Sequence, residues 1–256
     1  MTRAAPTAFL ALWNSISRAA LQPEYETWHI FEHVPERIGL PGFIEARRYR
    51  SVTSAPHPPS YFTCYWLDSL EALNSPRYLE LFANPTPWSA RMRLELRNFF
   101  RLSCSLGGAC GQSMASQLAT IHLRGEGDLF PGQLQRQLAQ RVQHGDLVCA
   151  QWGNVEQTQA IPIANRVDAP VAWTTGSDVV VMLQGLEASG LREQARQLLR
   201  ALSPVASPVS PPKLFELLSQ VRQDELTSPV LSHPHINQRQ APRPDLFQKF
   251  QTGDTP

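Results

Sequence analysis

Lysine is almost absent from this sequence of 256 residues, which contains only Lys213 and Lys249. Nearly all of the positive charge therefore comes from arginine, and the formal net charge is +1. A net charge so close to zero gives no reason to expect a nucleic acid or an anionic membrane as a partner. No apolar run reaches the about 18 residues of a membrane-spanning helix, so the sequence predicts no membrane partner.

Cysteine pairs and phosphate-binding loops are also missing. The cysteines, Cys64, Cys104, Cys110 and Cys149, form no CxxC pair. This scatter favours buried free thiols of a cytosolic protein over a disulfide framework or a zinc site. The glycines of residues 107–111 lack the strand-to-helix context of a phosphate-binding loop, and neither a GxSxG elbow nor a dinucleotide fingerprint occurs.

The N-terminal run AAPTAFLALW has some features of a signal peptide. It is short, contains Pro6, and gives way to Asn14 and Ser15, which suits a first strand better than the apolar core of a signal peptide. We therefore expect a cytoplasmic location.

The most informative stretch is EYETWHIFEHVPERIGLPGFIEARRY, which runs from Glu24 to Tyr49. Its pattern predicts one amphipathic helix over residues 22–37 that ends near Pro35, a turn at residues 39–42, and a strand over residues 43–52. Aromatic rings, imidazoles and charges recur at spacings of three and four on two neighbouring faces of this helix. A purely structural helix carries mostly aliphatic side chains there, so the stretch indicates a functional site.

This stretch resembles the dimeric α/β-barrel superfamily, in particular the small ferredoxin-like proteins related to the ether-degradation protein EthD and to muconolactone isomerase. The resemblance is carried by Tyr25, Trp28, the run Glu32-His33-Val34-Pro35-Glu36-Arg37, and the turn Leu40-Pro41-Gly42-Phe43 that leads to Arg47, Arg48 and Tyr49. It covers about the first hundred residues, and the superfamily holds many unrelated chemistries, so it implies a fold more strongly than a reaction.

The order of predicted elements supports this fold twice along the chain. In the first half we predict strands at 7–16, 43–52, 60–67 and 96–105, with helices at 22–37 and 69–82, the second interrupted at residues 75–76. In the second half we predict strands at 117–124, 147–155, 179–183 and 213–221, with helices at 132–143 and 186–202. The repeated βαββαβ order indicates a tandem duplication.

The predicted fold class is therefore α+β, with two ferredoxin-like repeats that pack sheet on sheet as an antiparallel α/β barrel and bury their bare faces. The repeats are placed at residues 1–106 and 115–222, with a linker at 107–114. Residues 157–173 are predicted to be an insertion that serves as a lid or an interface arm. Residues 223–256 are predicted to be an extended or disordered tail, and either segment could support a homodimer.

His33 is the leading catalytic candidate, predicted to face the barrel mouth at the end of the first helix. A helix C-terminus favours the imidazolium, whereas burial beside Tyr25 and Trp28 opposes it, so a pKa near neutrality would suit acid–base catalysis. Alternatively, His33 only ties the helix end to the turn before Pro41. His29 is predicted to be structural, and no metal is predicted, because no long helix follows the HIFEH motif to supply a third ligand.

Arg91 is the second catalytic candidate, because it could orient an anionic group of the ligand, although a solvated arginine is the alternative. The predicted substrate-binding residues are Tyr25, Trp28, Trp66, Trp88, His122 and Trp152. His122 and Trp152 are the second-half residues expected to point into the barrel.

These residues predict a cofactor-independent enzyme of the isomerase, lyase or cyclase type that acts on a small hydrophobic or aromatic molecule by proton transfer. Two alternatives stay open. The resemblance includes a haem-binding branch, which implies a haem protein with His122 or His144 as the axial ligand. The other alternative is a non-catalytic protein that binds a small ligand or acts as a scaffold.

Overall fold

A single antiparallel sheet closes into a barrel in the computed structural model of the chain, which describes residues 5–52, 58–128, 130–156, 177–226 and 238–251. The strands are β1 (Ala8–Ile16), β2 (Phe43–Ser51), β3 (Ser60–Leu67), β4 (Leu96–Cys110), β5 (Gln117–Gly125), β6 (Cys149–Glu156), β7 (Asp178–Gly185), β8 (Ala206–Pro208) and β9 (Lys213–Arg222). Their order is β7-β6-β4-β1-β3-β2-β9-β5-β8, and a β5–β7 pairing closes eight of them into a ring. The predicted α+β barrel is confirmed.

Both halves of the chain use the same strand order. The first half is ordered β4-β1-β3-β2 and the second β9-β5-β7-β6, so the fourth, first, third and second strands of each half are neighbours. Hydrogen bonds continue between the halves at two seams, β2–β9 and β4–β6. One continuous sheet therefore replaces the two facing sheets that the sequence predicted, because pairing at the seams also satisfies the strand edges.

Helices cover the outside of the barrel. They are α1 (Gln22–Trp28), a π-helical turn (His29–His33), α2 (Val34–Ile38), α3 (Pro76–Ala83), α4 (Pro87–Arg93), α5 (Phe130–Gln143), α6 (Ala188–Leu202) and α7 (Pro244–Gln251). Short 3₁₀ helices lie at Ala19–Leu21, Leu70–Asn74 and Gln223–Glu225. No helix in these described ranges is long and apolar enough to cross a membrane.

Alternate residues of each strand face the barrel interior or the helices, as strand geometry requires. Phe9, Trp13, Tyr49, Phe62 and Phe215 belong to the cluster that fills the barrel, with residues from both halves. Separate clusters under the helices fill the space outside the sheet. The middle of the barrel is thus a packed core.

The helical region from Gln22 does not end near Pro35 as predicted. It continues through the π-helical turn and α2 to Ile38. Pro35 is tolerated because it lies in the first turn of a new α-helical segment, where its missing N–H is not needed. The predicted break in the next helix is present, since Ser75 caps α3 by accepting a hydrogen bond from the Tyr78 N–H.

The predicted linker and tail also contain more regular structure than the sequence indicated. Residues 107–110 are the last part of β4, because β6 offers a pairing partner there. Part of the tail forms α7, whose Phe247 stacks on Trp88 with centroids 5.5 Å apart. The Arg243 N–H donates to Glu32 at 2.7 Å, so this segment packs on its own chain. The predicted insertion, residues 157–173, lies outside the described residues.

Candidate functional site

A cavity of about 50 Å³ lies between the outer face of the first-half sheet and the helices that cover it. Leu10, Leu12 and Asn14 of β1 form part of its floor, while the intervening residues of β1 face the barrel interior. The complete lining is Leu10, Leu12, Asn14, Tyr25, Trp28, His29, His33, Arg37, Thr63, Tyr65, Tyr78, Phe82, Arg93, Leu96, Phe99 and Arg101. His33 therefore faces a cavity outside the barrel, which corrects the prediction that it faces the barrel mouth.

Two histidines of the π-helical turn meet in this cavity. The ring centroids of His29 and His33 are 4.7 Å apart, and His33 lies 4.2 Å from the Trp28 ring. The turn is defined by the Val34 N–H, which donates to the carbonyl of His29 five residues earlier. π-Helical turns of this kind are frequent at functional sites. His29, which the sequence predicted to be structural, is thus an immediate neighbour of His33.

Both histidines are neutral at neutral pH. Burial first, and then the positive charges of Arg48 and Arg37, hold the pKa of His29 well below its ordinary value of 6.5. Burial and the charge of Arg37 similarly hold the pKa of His33 well below that value. The prediction of a pKa near neutrality for His33 does not allow for these neighbouring arginines, which add to the effect of burial.

Several buried polar atoms around the cavity have no hydrogen-bond partner among the described residues. They include Nδ1 of His29 and of His33, Oγ1 of Thr63 and the hydroxyl oxygen of Tyr65. More than nine in ten buried polar groups in proteins are paired, with protein or with water, so a group of unpaired atoms around one cavity needs an explanation. A polar ligand or solvent in the cavity would supply the missing partners.

The charged side chains that line the cavity are all positive. Arg37 donates to the carbonyl of His33 at 2.9 Å and to Glu36 at 3.3 Å. Arg93 donates to the carbonyl of Leu81 at 2.6 Å, and burial lowers the pKa of Arg93 to about 10, so it stays charged. Arg101 completes the set, and the lining contains no aspartate or glutamate.

Tyr25 and Trp28 form one wall of the cavity, where the sequence placed them around the ligand. The Tyr25 hydroxyl donates to Asn14 Oδ1 at 3.1 Å and accepts from Asn14 Nδ2 at 3.0 Å. Burial raises the pKa of Tyr25, so this hydroxyl is protonated. Trp28 Nε1 donates to Ser89 at 3.2 Å, which fixes the orientation of the indole.

Arg91 and Trp88 are not part of this cavity. Arg91 Nη2 donates to Glu24 at 2.8 Å, and Trp88 Nε1 donates to the other oxygen of the same carboxylate at 3.1 Å. Trp88 is covered by α7, and Arg91 is partly exposed. Arg91 does not line this cavity and Glu24 neutralises its charge, so these contacts give no support to the prediction that Arg91 orients an anionic ligand.

The remaining predicted binding residues are scattered. Trp66 faces the barrel interior and lines a separate, open recess of about 430 Å³, together with Arg47 and Gln151. Trp152 faces α5 and donates to Gln135 at 2.8 Å, so the prediction that it points into the barrel is wrong. Gly107 and Gly108 have no side chains, which leaves room for the Trp152 indole against β4.

The two histidines named as haem ligands do not fit that role. His122 faces the filled barrel interior, where its Nε2 lies 3.1 Å from Asp178 and its ring lies 6.1 Å from Phe100. His144 follows α5 and is exposed. Neither residue lines the cavity or the recess, so neither offers a nitrogen to the iron of a porphyrin.

One buried residue beside the cavity was missed in the sequence. Arg48 of β2 is 1% exposed, and its guanidinium lies over the rings of Tyr25 and Tyr61 at 5.4 and 5.5 Å. The alternation of β2 offers a signal for it, because Ala46 and Arg48 share the face that packs under the helices. A charge on a buried strand face is unusual enough to mark a candidate site.

No family model and no curated protein matches the sequence. Solved structures match its fold. An anthrone oxidase-like protein is 9% identical, with a TM-score of 0.61 over 90% of this chain and 99% of that chain. A candidate monooxygenase from Fusobacterium nucleatum is 7% identical, with a TM-score of 0.54 over 85% of this chain and 95% of that chain.

The fold is an α+β barrel. A candidate monooxygenase from Lactobacillus acidophilus also shares it, with 6% identity and a TM-score of 0.52 over 85% of this chain and 97% of that chain. Chlorite dismutases and a haem-binding protein from Thermus thermophilus match with TM-scores of 0.42–0.48, too low to indicate a common site. Identities this low indicate common architecture and leave the reaction to be argued from the site.

Proposed function

We propose that this chain is a cofactor-independent enzyme that removes a proton from a small hydrophobic or aromatic molecule, as in isomerisation, elimination or cyclisation. The observation that carries this proposal is the pair of neutral, adjacent imidazoles with unpaired Nδ1 atoms at one cavity. A neutral imidazole accepts a proton without first losing one, which is what a general base needs. The fold neighbours named as an anthrone oxidase-like protein and as monooxygenases are consistent with a small-molecule substrate.

His33 is the proposed base, and His29 lies directly behind it. The arginines that surround the pair disfavour an imidazolium, so a proton taken up by His33 is released again readily. This suits reactions in which the same proton returns to another atom of the substrate.

The cavity must widen to admit a ring. Its volume of about 50 Å³ is smaller than the about 150 Å³ of an engineered cavity that binds benzene. Phe82, Phe99 and Arg101 line the cavity and are partly exposed, so they form its outer end. We propose that rotation of these three side chains opens the site.

Hydrogen–deuterium exchange tests this function without knowledge of the full reaction. A panel of single-ring enolisable ketones is incubated with the protein in D₂O, and loss of the acidic C–H signal is followed by proton NMR. His33→Gln should slow exchange by about 10²- to 10⁴-fold, the usual contribution of a general base. His144→Gln is the matched control, because His144 is exposed and far from the cavity lining.

Two outcomes would contradict this function. Either no member of the panel exchanges faster than in buffer, or His33→Gln exchanges as fast as the unmodified protein. In the second case, loss of exchange in His29→Gln would move the base to His29 within the same cavity.

We also infer that the two halves arose by duplication of one ferredoxin-like unit, and that this unit is related to the EthD group. The common strand order of the halves supports the duplication. A cytoplasmic location is supported by the four cysteines, which are all free.

A further inference from the structure

Arg48 is a buried cation without a counter-ion among the described residues. Its Nε, Nη1 and Nη2 atoms are buried, and none has an acceptor in good hydrogen-bond geometry there. Burial raises the pKa of the Tyr25 hydroxyl and the nearby Arg48 charge opposes that rise, but this hydroxyl is neutral and already bonded to Asn14, so it does not balance the charge. Glu26 accepts from the Tyr61 hydroxyl at 3.0 Å and pairs with Arg50 at 3.5 Å, so its carboxylate is engaged by groups other than Arg48. Buried charges in proteins are ordinarily paired, so three unpaired donors on one side chain mark a binding group.

Arg48 is not one of the lining residues, but it lies directly beside residues that are. Arg48 and Thr63 are direct partners across β2 and β3, and such partners share a face with Cβ atoms about 5 Å apart. Thr63 lines the cavity, and its hydroxyl is also unpaired. Tyr25, over which the guanidinium lies, and His29 line the same space.

The carboxylates of the neighbouring helices are engaged by other groups. Glu32 accepts from Thr86 at 2.5 Å and from the Arg243 N–H. Glu36 pairs with Arg37 and with Arg239 at 2.6 Å. The side of the cavity next to Arg48 therefore has positive charge that no carboxylate of the described residues balances.

We propose that Arg48 binds an oxyanion of the ligand, so that the cavity selects small molecules that carry a phenolate or an enolate. This inference deepens the proposed function. When an imidazole takes the proton of a C–H or O–H bond, the electron pair of that bond stays on the substrate, and its negative charge settles on the oxygen beside Arg48. No oxidant or reductant is needed. Preorganised donors aimed at a developing oxyanion are among the largest contributions to catalysis.

A chromophoric phenol tests this inference by binding alone. We expect the full-length protein to bind 4-nitrophenol as the yellow phenolate and to lower its apparent pKa by at least about one unit, which is a tenfold preference for the anion. Nitrobenzene, which has no ionisable oxygen, should bind at least about tenfold more weakly than the anion. Arg48→Met should abolish both differences, because it keeps an unbranched apolar stem and removes the charged guanidinium.

Arg50→Met is the matched control. Arg50 lies two residues further along β2 and pairs with Glu216 at 2.8 Å, so its removal should leave the pKa shift unchanged. The inference is overturned if 4-nitrophenol does not bind at millimolar concentration, if nitrobenzene binds equally well, or if Arg48→Met keeps the preference for the anion. His33→Gln separates the two proposals, since it should lose isotope exchange and keep the shift of the bound phenol.

Discussion

Replacing Arg48 by methionine is expected to stabilise the ligand-free protein. Burying an ion costs several kcal/mol even after the protein relaxes, and Arg48 is 1% exposed. The contacts with Tyr25 and Tyr61, at 5.4 and 5.5 Å, return up to about 2 kcal/mol each when desolvated. No described group offsets the remaining cost of burying the charge. We therefore expect Arg48→Met to raise the free energy of unfolding by about 1–3 kcal/mol, in line with replacements of buried charges by apolar residues.

Urea denaturation followed by circular dichroism measures this change. In a chain of this size about 1 kcal/mol shifts the melting temperature by about 2–4 °C, so a thermal scan gives an independent check. Arg50→Met again serves as the control. Its side chain is 32% exposed and ion-paired, so its loss should destabilise the protein by less than about 1 kcal/mol.

The result that would refute this reasoning is a loss of stability in Arg48→Met of about 1 kcal/mol or more, similar to that of a broken buried ion pair. Arg48 would then have a partner within the folded chain, and its charge would not be available to bind a ligand.

Two further predictions concern the histidines and α7. Because the folded-state pKa values of His29 and His33 lie well below 6.5, both take up protons only on unfolding as the pH falls below that value. Their contribution to stability is complete above pH 6.5 and decreases below it by up to about 1.4 kcal/mol per pH unit for each histidine. Urea titrations between pH 7 and pH 4 should show a shallower decrease for His29→Gln, and an unchanged slope would argue against a buried neutral imidazole. Phe247→Ala should cost about 1–2 kcal/mol, since Phe247 is half-buried against Trp88. Isotope exchange should persist in this variant, and an unchanged melting curve would show that α7 contributes nothing to stability.

The strands were largely predictable because each combines a local pattern with turn residues at its ends. The predicted bounds of β3 agree with the structure at both ends. The end of β4 was not predictable, because residues 107–110 become a strand only through pairing with β6, which lies far along the chain. The π-helical turn has no distinct composition, so the sequence predicted an ordinary helix there.

The helix side of the site could be predicted in part, and the sheet side could not. Tyr25, Trp28 and His33 were found because their spacing places them on adjoining faces of one helix. Arg48 and Thr63 belong to the site only because β2 and β3 pair in one register beneath that helix. Register is a tertiary property, so the local sequence does not contain it.

Which arginines form ion pairs was likewise not predictable from the sequence. The sequence predicted that Arg91 binds an anion and made no such prediction for Arg48. Glu24 lies within reach of Arg91, whereas the carboxylates near Arg48 are engaged elsewhere. Which arginine is neutralised depends on distances between elements that are far apart in the chain.

The two seams of the barrel constrain how this chain reaches its native state. Ala46 pairs with Val221, and Cys104 pairs with Val155, so each seam joins segments made at different times during synthesis. Until both halves are complete, the edges of β2 and β4 have no partner and are available to other chains. Contacts between such distant residues slow folding, because the intervening chain must be ordered first. The newly made first half therefore exposes these two strand edges until β6 and β9 have emerged.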